Sequence, residues 1–500
     1  MSFVLDLLYL LAGVAISPVV LYRVIRHRRY RSGWAQRFGK ISRKSPEKKC
    51  IWLHAVSVGE VNAAKTLVKE LENTFPDFEI VISTTTDTGF VQANAVFGLD
   101  FQVFYFPFDL SWIMRRAFNN IRPTICLLME LEVWPNFVQI ARRLNVPVII
   151  INGRISDRGF SKYKKIKPIA KTIFRKVSLV LAQTDEYARR FKELGCPDEK
   201  VIVTGSLKYD TAQITDKVEG ADELAQQLNI LCHCEPEQSE GAAISKSADK
   251  IASVASSFAN AMEDKSLPRN DVIDGGRLWV AGATGDNEEQ IILDVYRRLI
   301  EQKRFENLRL AIVPRKPERF DEVAQLIEQS GFNLIRYSSI KTGDRRQKTE
   351  DRRQRTEDRG QNNNFDNQQS SIVNRQSSIV VLGDTMGDLR KFYSLATIIF
   401  VGRSLVLMGG SDMMEAAALG KCTIFGPHAF NFKQAVDALL ADNGAIMVKD
   451  KDQLFAAMQK CLLEPAYADK IARNGREVIR KNQGATAKSI ELISKFLTAS

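Results

Sequence analysis

IWLHAVSVGEVNAAKTLVKEL, residues 51–71, changes its hydrophobic rhythm in the middle. Residues 51–55 form a short apolar run, the kind that a strand buried on both faces requires. Beyond Ser57 and Gly59 the apolar positions become Ala64, Leu67, Val68 and Leu71, the i, i+3, i+4, i+7 spacing of a helix with one buried face. Strand, turn and helix in so short a space predict a parallel sheet wrapped by helices. Further strands are predicted at 80–84, 125–129, 147–151, 179–182 and 201–204, with helical stretches between them. A second series begins near residue 277, with strands at 278–281, 308–313, 379–382, 398–401 and 423–425. The pattern predicts an α/β protein with two Rossmann-like domains in tandem. Open sheets of this kind bind ligands beyond the carboxyl ends of their strands, so the site is expected in a cleft between the domains.

Composition agrees with a folded, multi-domain chain. Of 500 residues, 45% are hydrophobic and 26% charged, which excludes bulk disorder. The net charge of +12 suits an anionic partner without choosing which. The seven cysteines are an odd number without regular spacing, and they read as reduced thiols. Residues 217–275 are rich in Ser, Ala, Glu and Asp and are expected to be an expanded linker. Residues 344–378 contain RRQKTED followed by RRQRTED, with QSSIV at 369–373 recurring at 376–380, and are expected to be a low-complexity insertion. Interspersed acids in the arginine-rich copies, and the lack of a recognisable module, argue against nucleic acid.

The N-terminus reads as a membrane anchor. FVLDLLYLLAGVAISPVVLY, residues 3–22, carries one charge, Asp6, and one proline, Pro18. At about 1.5 Å per residue its helix matches the thickness of a bilayer core. Eleven Lys and Arg residues follow between 23 and 49, against one acid, Glu47. That bias places the remaining chain on the cytoplasmic side of the membrane. The competing reading is an apolar helix docked on the protein itself, with Asp6 and Pro18 in its favour.

Chemistry-bearing residues gather where strands end. Glu60 falls at the start of the helix after 51–55, where the positive helix end favours an ionised carboxylate. It suits a general base, or else it stabilises the first turn. MELEVWPN, residues 129–136, sets Glu130 and Glu132 at the exit of the strand 125–129. NGRIS, 152–156, and TGSLKYD, 204–210, occupy equivalent places, and Lys208 is a candidate to stabilise negative charge. In the second half Pro314, Arg315 and Lys316 stand at a strand end, where Arg suits phosphate. GDTMGDL, 383–389, and the Gly409-Gly410 turn before a helix bearing Glu415 add two glycine loops of the type that takes phosphate or ribose. No His, Cys or acid spacing suits a metal; Cys232-His233-Cys234 lacks a second ligand pair.

Taken in order, SVGE, MELEVWPN, NGRIS, TGSLKYD, PRKPERF, GDTMGDL, FYSLA, FVGRSLV, the glycine pair with its Glu, and FGPHAFNF resemble the 3-deoxy-D-manno-octulosonic acid (Kdo) transferases, the lipid A glycosyltransferases. The resemblance implies a GT-B fold: anchor 1–22, acceptor domain 23–216, linker 217–275, donor domain 276–485 and a C-terminal helix 486–500. It implies inverting transfer of Kdo from CMP-Kdo to lipid A precursor, with no metal and no cofactor beyond the donor. Glu60 then matches the general base, and Glu130 and Lys208 match residues that stabilise the transition state. Pro314, Arg315, Met386, Gly387, Asp388, Asp412, Met413, Met414 and Glu415 match CMP contacts. The implied partners are CMP-Kdo, lipid A precursor and membrane lipids. The donor half departs from the family pattern: Ala283-Thr284-Gly285 stands for STH, Lys316 for His, Asp388 for Glu, Arg403 for Gly, and Ser411-Asp412 for HN. Those departures keep two alternatives in view, another CMP-activated ulosonic acid as donor, or an impaired scaffold that binds lipid A.

Overall fold

The computed structural model describes residues 2–27, 32–228, 277–341 and 379–498. Most of the expected linker and of the insertion, with Cys232-His233-Cys234, lies outside the described residues. The chain divides into two compact units, Met1–Gln213 with Ile479–Ser500, and Ile214–Val478.

The first unit is built on a seven-stranded sheet of β1 (Lys49–His54), β2 (Phe78–Thr84), β3 (Gln102–Tyr105), β4 (Ile125–Met129), β5 (Val148–Gly153), β6 (Leu179–Ala182) and β7 (Val201–Val203). Their order is β3-β2-β1-β4-β5-β6-β7, with every neighbour parallel. Ile125 to Met129 are wholly buried, which is why this strand reads as an unbroken apolar run. Trp52 is the largest side chain of one face. It packs on Phe104, Phe106, Phe118 and Phe137 and donates its indole N–H to Ser83 Oγ at 2.8 Å.

The second unit repeats the plan with β8 (Leu278–Thr284), β9 (Arg309–Pro314), β10 (Asn333–Arg336), β11 (Ile379–Leu382), β12 (Ile398–Val401), β13 (Cys422–Phe425) and β14 (Ile446–Met447). The order is β10-β11-β9-β8-β12-β13-β14, again all parallel. The α/β expectation therefore holds in both units. Eleven of the strands coincide with predicted ones; β3, β10 and β14 are additional. All three lie at sheet edges, where a short strand is covered on fewer sides and needs no long apolar run.

The strand order turns between β1 and β4 in the first unit and between β8 and β12 in the second, where β10 and β11 also exchange places at the edge. Loops leaving the two strands at such a point turn to opposite faces and open a crevice at the carboxyl edge.

The described five cysteines, Cys50, Cys126, Cys196, Cys422 and Cys461, are buried and unbridged. The N-terminal segment is helical over Ser2–His27. Among the described residues no helix is long and apolar enough to cross a membrane. Asp6, the one acid in that helix, is turned to the protein. It accepts from Ser111 N at 2.8 Å and Asn136 Nδ2 at 2.9 Å, and from the Ser111 hydroxyl. Tyr9 donates to Asp109 at 3.2 Å. This end of the helix is thus seated as the docked alternative anticipates.

A buried ion pair closes the entry to the first sheet. Arg43 meets Glu79 of β2 at 2.7 Å, and the Lys44 and Ser45 N–H groups donate to the same carboxylate. Both side chains are almost fully buried. Removing one partner strands the other charge without water, so Arg43→Ala is expected to lower stability by about 3 kcal/mol in urea unfolding. A loss below about 1 kcal/mol would put the pair on a par with exposed ones and refute this assignment.

Candidate active site

Glu60 is fixed by the turn that begins its helix. Ser57 is the N-cap of Val58–Thr74, with extended backbone and its Oγ accepting from Glu60 N. The Glu60 carboxylate reaches back, accepting from the Ser57 hydroxyl at 2.9 Å and from Val56 N at 2.8 Å. This is a capping box, the reciprocal arrangement that S-x-x-E sequences make at helix starts. Of the two readings of the sequence, stabilisation of the first turn is the one these bonds describe. Only 8% of Glu60 is exposed. Burial pushes its pKa up to about 7; the Val56 N–H and Ser57 pull it down, and the charges of Glu130 and Glu132 push it further up. A carboxyl group at that value changes charge near neutrality, as a proton acceptor for an alcohol requires.

Glu130 and Glu132 lie in the turn after β4 rather than on the strand. Glu130 takes the left-handed conformation, φ 54°, and its N–H bonds Ile151 O of β5 at 2.9 Å. Its carboxylate acts on Glu60 across the β1/β4 switch point. Trp134 Nε1 holds Glu132 at 3.2 Å, and burial, more than Glu130, raises the pKa of Glu132.

Lys208 sits half-buried on the short helix Leu207–Thr211, which packs on the Glu60 helix and on the C-terminal helix Ala485–Thr498. Asn152 sets the start of that short helix. At φ 55° its buried side chain accepts from Leu207 N at 3.1 Å, and Gln183 donates to its carbonyl at 3.0 Å. Asp210 accepts from Gly484 N at 2.7 Å and from Thr486 N, which caps the C-terminal helix.

In the second unit the predicted donor residues separate into two groups. Pro314 ends β9, and the exposed Arg315 bonds back through its N–H to Thr284 O at 3.1 Å. Arg315 shares an electrostatic neighbourhood with Asp412, Glu415 and Tyr393. Arg390 approaches Glu415 at 3.9 Å. Burial raises the Glu415 pKa, Asp412 adds to that, and the two guanidinium groups oppose it. Met413 and Met414 point into the core and are buried, so their side chains support the segment.

The other group surrounds β11. Met386 is 69% exposed and Gly387 takes φ 89° in the following turn. Asp388 is buried and already engaged by Thr385 at 2.6 Å, Lys341 at 2.9 Å and Lys391 at 3.0 Å. Burial alone would raise its pKa, but these three partners bring it down to about 2. Its carboxylate is an anchor for its own loop.

Sequence reading passed over several residues. Glu288 and Glu289, acids of a first helical turn, are both wholly buried. Glu289 pairs with Arg319 at 2.6 Å and accepts from Thr284 at 2.7 Å. Arg319 also meets Asp286 at 2.6 Å and Glu322 at 3.0 Å. Two acids at the entry of a helix that follows a long apolar strand were the available signal. Arg390 was passed over, and FYSLA marked Tyr393 without giving it a role; both sit on the short helix Leu389–Leu395. Among the described residues no group of His, Cys, Asp and Glu is arranged to hold a metal ion.

Residues 32–211 match the family described as 3-Deoxy-D-manno-octulosonic-acid transferase (kdotransferase). The 3-deoxy-D-manno-octulosonic acid transferase of Haemophilus influenzae is 30% identical over 95% of this chain and 93% of its own. The Bordetella pertussis protein of the same name is 26% identical over 98% of this chain and 99% of its own. Among solved structures, the C-terminal CMP-Kdo binding domain of WaaA from Acinetobacter baumannii is 27% identical over 41% of this chain and 90% of that one, with a TM-score of 0.32. On the full-length likeness to the H. influenzae relative, together with the family match over residues 32–211, the chain belongs to the 3-deoxy-D-manno-octulosonic acid transferase family of glycosyltransferases.

Proposed function

We propose that the chain transfers Kdo from CMP-Kdo to a hydroxyl of lipid A precursor, with inversion and without a metal, at the surface of the inner membrane. One observation carries the reading: a glutamate buried in a capping box beside two other acids, with its pKa pushed up to about 7, at the switch point of the first unit.

In this reading Glu60 takes the proton of the acceptor hydroxyl as its oxygen attacks the anomeric carbon of Kdo. The bond to the CMP phosphate breaks on the opposite face, so one base suffices for inversion. Positive charge develops on the sugar and negative charge on departing CMP. Glu130 favours the first, and Lys208 and Arg315 favour the second. Arg315, Arg390, Asp412 and Glu415 supply the charged groups for the nucleotide, and Pro314, Met386 and Gly387 shape its loops.

The seating of the N-terminal helix supports a membrane location. With Asp6 and Tyr9 engaged inward, Leu7, Leu8, Leu10, Leu11 and Val14 are left exposed. Trp34, Phe38, Phe108 and Trp112 stack into a half-exposed aromatic cluster in the same unit. Aromatic rings and basic residues between 23 and 49 suit an anionic lipid interface. Trp34→Ala with Trp112→Ala is expected to lower co-sedimentation with phosphatidylglycerol vesicles while leaving the unfolding midpoint unchanged. Unaltered sedimentation would remove the aromatic cluster from the proposal.

Turnover is tested with CMP-Kdo and tetra-acylated lipid A precursor in EDTA, read by mass spectrometry. Wild type should give glycosylated lipid, and Glu60→Gln about 10²–10⁴-fold less. Absence of product from folded, lipid-binding wild type would refute the reading in favour of the scaffold.

The pH dependence follows from burial. Glu60 must be ionised to act, so kcat/KM should rise with pH through a limb near 7. Ser57→Ala deletes a hydrogen bond that favours the charged form and should move the limb to higher pH, with activity recovered in alkaline buffer. A limb that stays in place would exclude Glu60 as its source.

A further inference from the structure

The carboxylate of Glu288 occupies the place where a sheet of this kind ordinarily receives an anion. Its side chain is wholly buried and accepts from four backbone N–H groups. Gly285 N donates at 3.0 Å and Arg403 N to the same oxygen; Ser404 N and Leu405 N donate to the other at 2.7 and 2.8 Å. Gly285 belongs to the loop leaving β8, and Arg403 to Leu405 to the loop leaving β12. Those are the neighbouring strands on either side of the switch point in the second unit. In doubly wound sheets such N–H groups take the phosphate of a nucleotide.

From that carboxylate the bonding runs on through the loop. Arg403 O accepts from Gly410 N at 2.8 Å, and Ser411 Oγ donates to Ala283 O at 3.1 Å. Ser404 Oγ accepts from Gly426 N at 2.8 Å, and Ser404 O from His428 N at 2.9 Å. The exits of β8 and β12 thus meet around the Glu288 side chain, and the exit of β13 joins them through Ser404. Arg403 holds φ 59°, a conformation that a non-glycine residue adopts at a cost of about 1 kcal/mol, and its N–H is one of the four donors. The segment from Asp412 to Glu415 begins one residue beyond Ser411.

We propose that Glu288 is a built-in anion: it fills the N–H cradle at the switch point, positions the loop 401–411, and leaves the donor's phosphate to be held by side chains, with Arg315 and Arg390 about Glu415. This rests on the reading that the second unit binds a CMP-activated sugar. Glu288 is a positioning residue and touches neither substrate.

The test uses the full chain with E288Q and E288A. E288Q turns an amide toward backbone N–H groups that have no acceptor for it. Ligand-free hydrogen exchange over 401–411 should quicken about tenfold, with the circular dichroism of the wild type retained. The donor KM should rise about tenfold and the acceptor KM change less than about twofold. Sodium formate, but not chloride, should restore exchange protection and donor KM in E288A by supplying the missing carboxylate. Unchanged exchange with unchanged donor KM in folded E288Q would overturn the proposal. So would an equal rise in both KM values, which marks general loosening, or the absence of any formate effect. If E288Q does not fold, E288D, one methylene short, is read by the same measures. If the wild type shows no turnover of CMP-Kdo, the proposed function fails, while exchange and formate protection still decide the role of Glu288.

Discussion

Parallel strands deliver every substrate-bearing loop to one edge of a sheet, and with it a row of backbone N–H groups that neither sheet nor helix can satisfy. Something negative must meet them. In both units the chain supplies a glutamate of its own, on the helix that follows the unit's first strand. Glu60 answers one N–H and one hydroxyl, and it shares its surroundings with Glu130 and Glu132. Glu288 answers four N–H groups from two loops. Burial raises the pKa of both, but the four N–H donors oppose it around Glu288, whereas acidic neighbours add to it around Glu60. Similar positions in two similar sheets thus yield one group poised to titrate and one that acts as an internal counter-charge.

The α/β architecture was legible because strands covered on both faces must be continuously apolar. Ile125 to Met129 and Ile398 to Val401 could hardly be anything else. What escaped notice was marginal in the literal sense: β3, β10 and β14 border their sheets. The site was legible in part. Glu60, Glu130 and Arg315 follow strands directly, and a charge in that place stands out against an apolar run. Glu288 did not stand out, and NGRIS and FYSLA marked Asn152 and Tyr393 without showing what they touch, because their importance arises from contacts across the sequence. Asn152 meets Leu207, and Glu288 meets residues more than a hundred positions away. No local pattern encodes such pairs. Asp6 shows the opposite case: its charge looked misplaced in an apolar helix until Ser111 and Asn136 supplied its partners.

The departures of the donor half from the family pattern take on physical meaning beside these contacts. Asp388 is held by Lys341, Lys391 and Thr385, so a shorter acid in place of Glu serves the loop's own stability. Arg403 keeps a left-handed backbone that glycine would adopt freely, and its guanidinium donates to Met408 O at 3.2 Å. Ala283 also takes a left-handed conformation, φ 53°, and its carbonyl is the acceptor for Ser411, itself a departure. Two of the changes therefore bond to each other. Substitutions coupled in this way preserve the course of the backbone while altering which side chains line it. Such a loop is poorly described as decayed. It is a loop whose shape is maintained from beneath, by Glu288 and by bonds from the exits of β8 and β13.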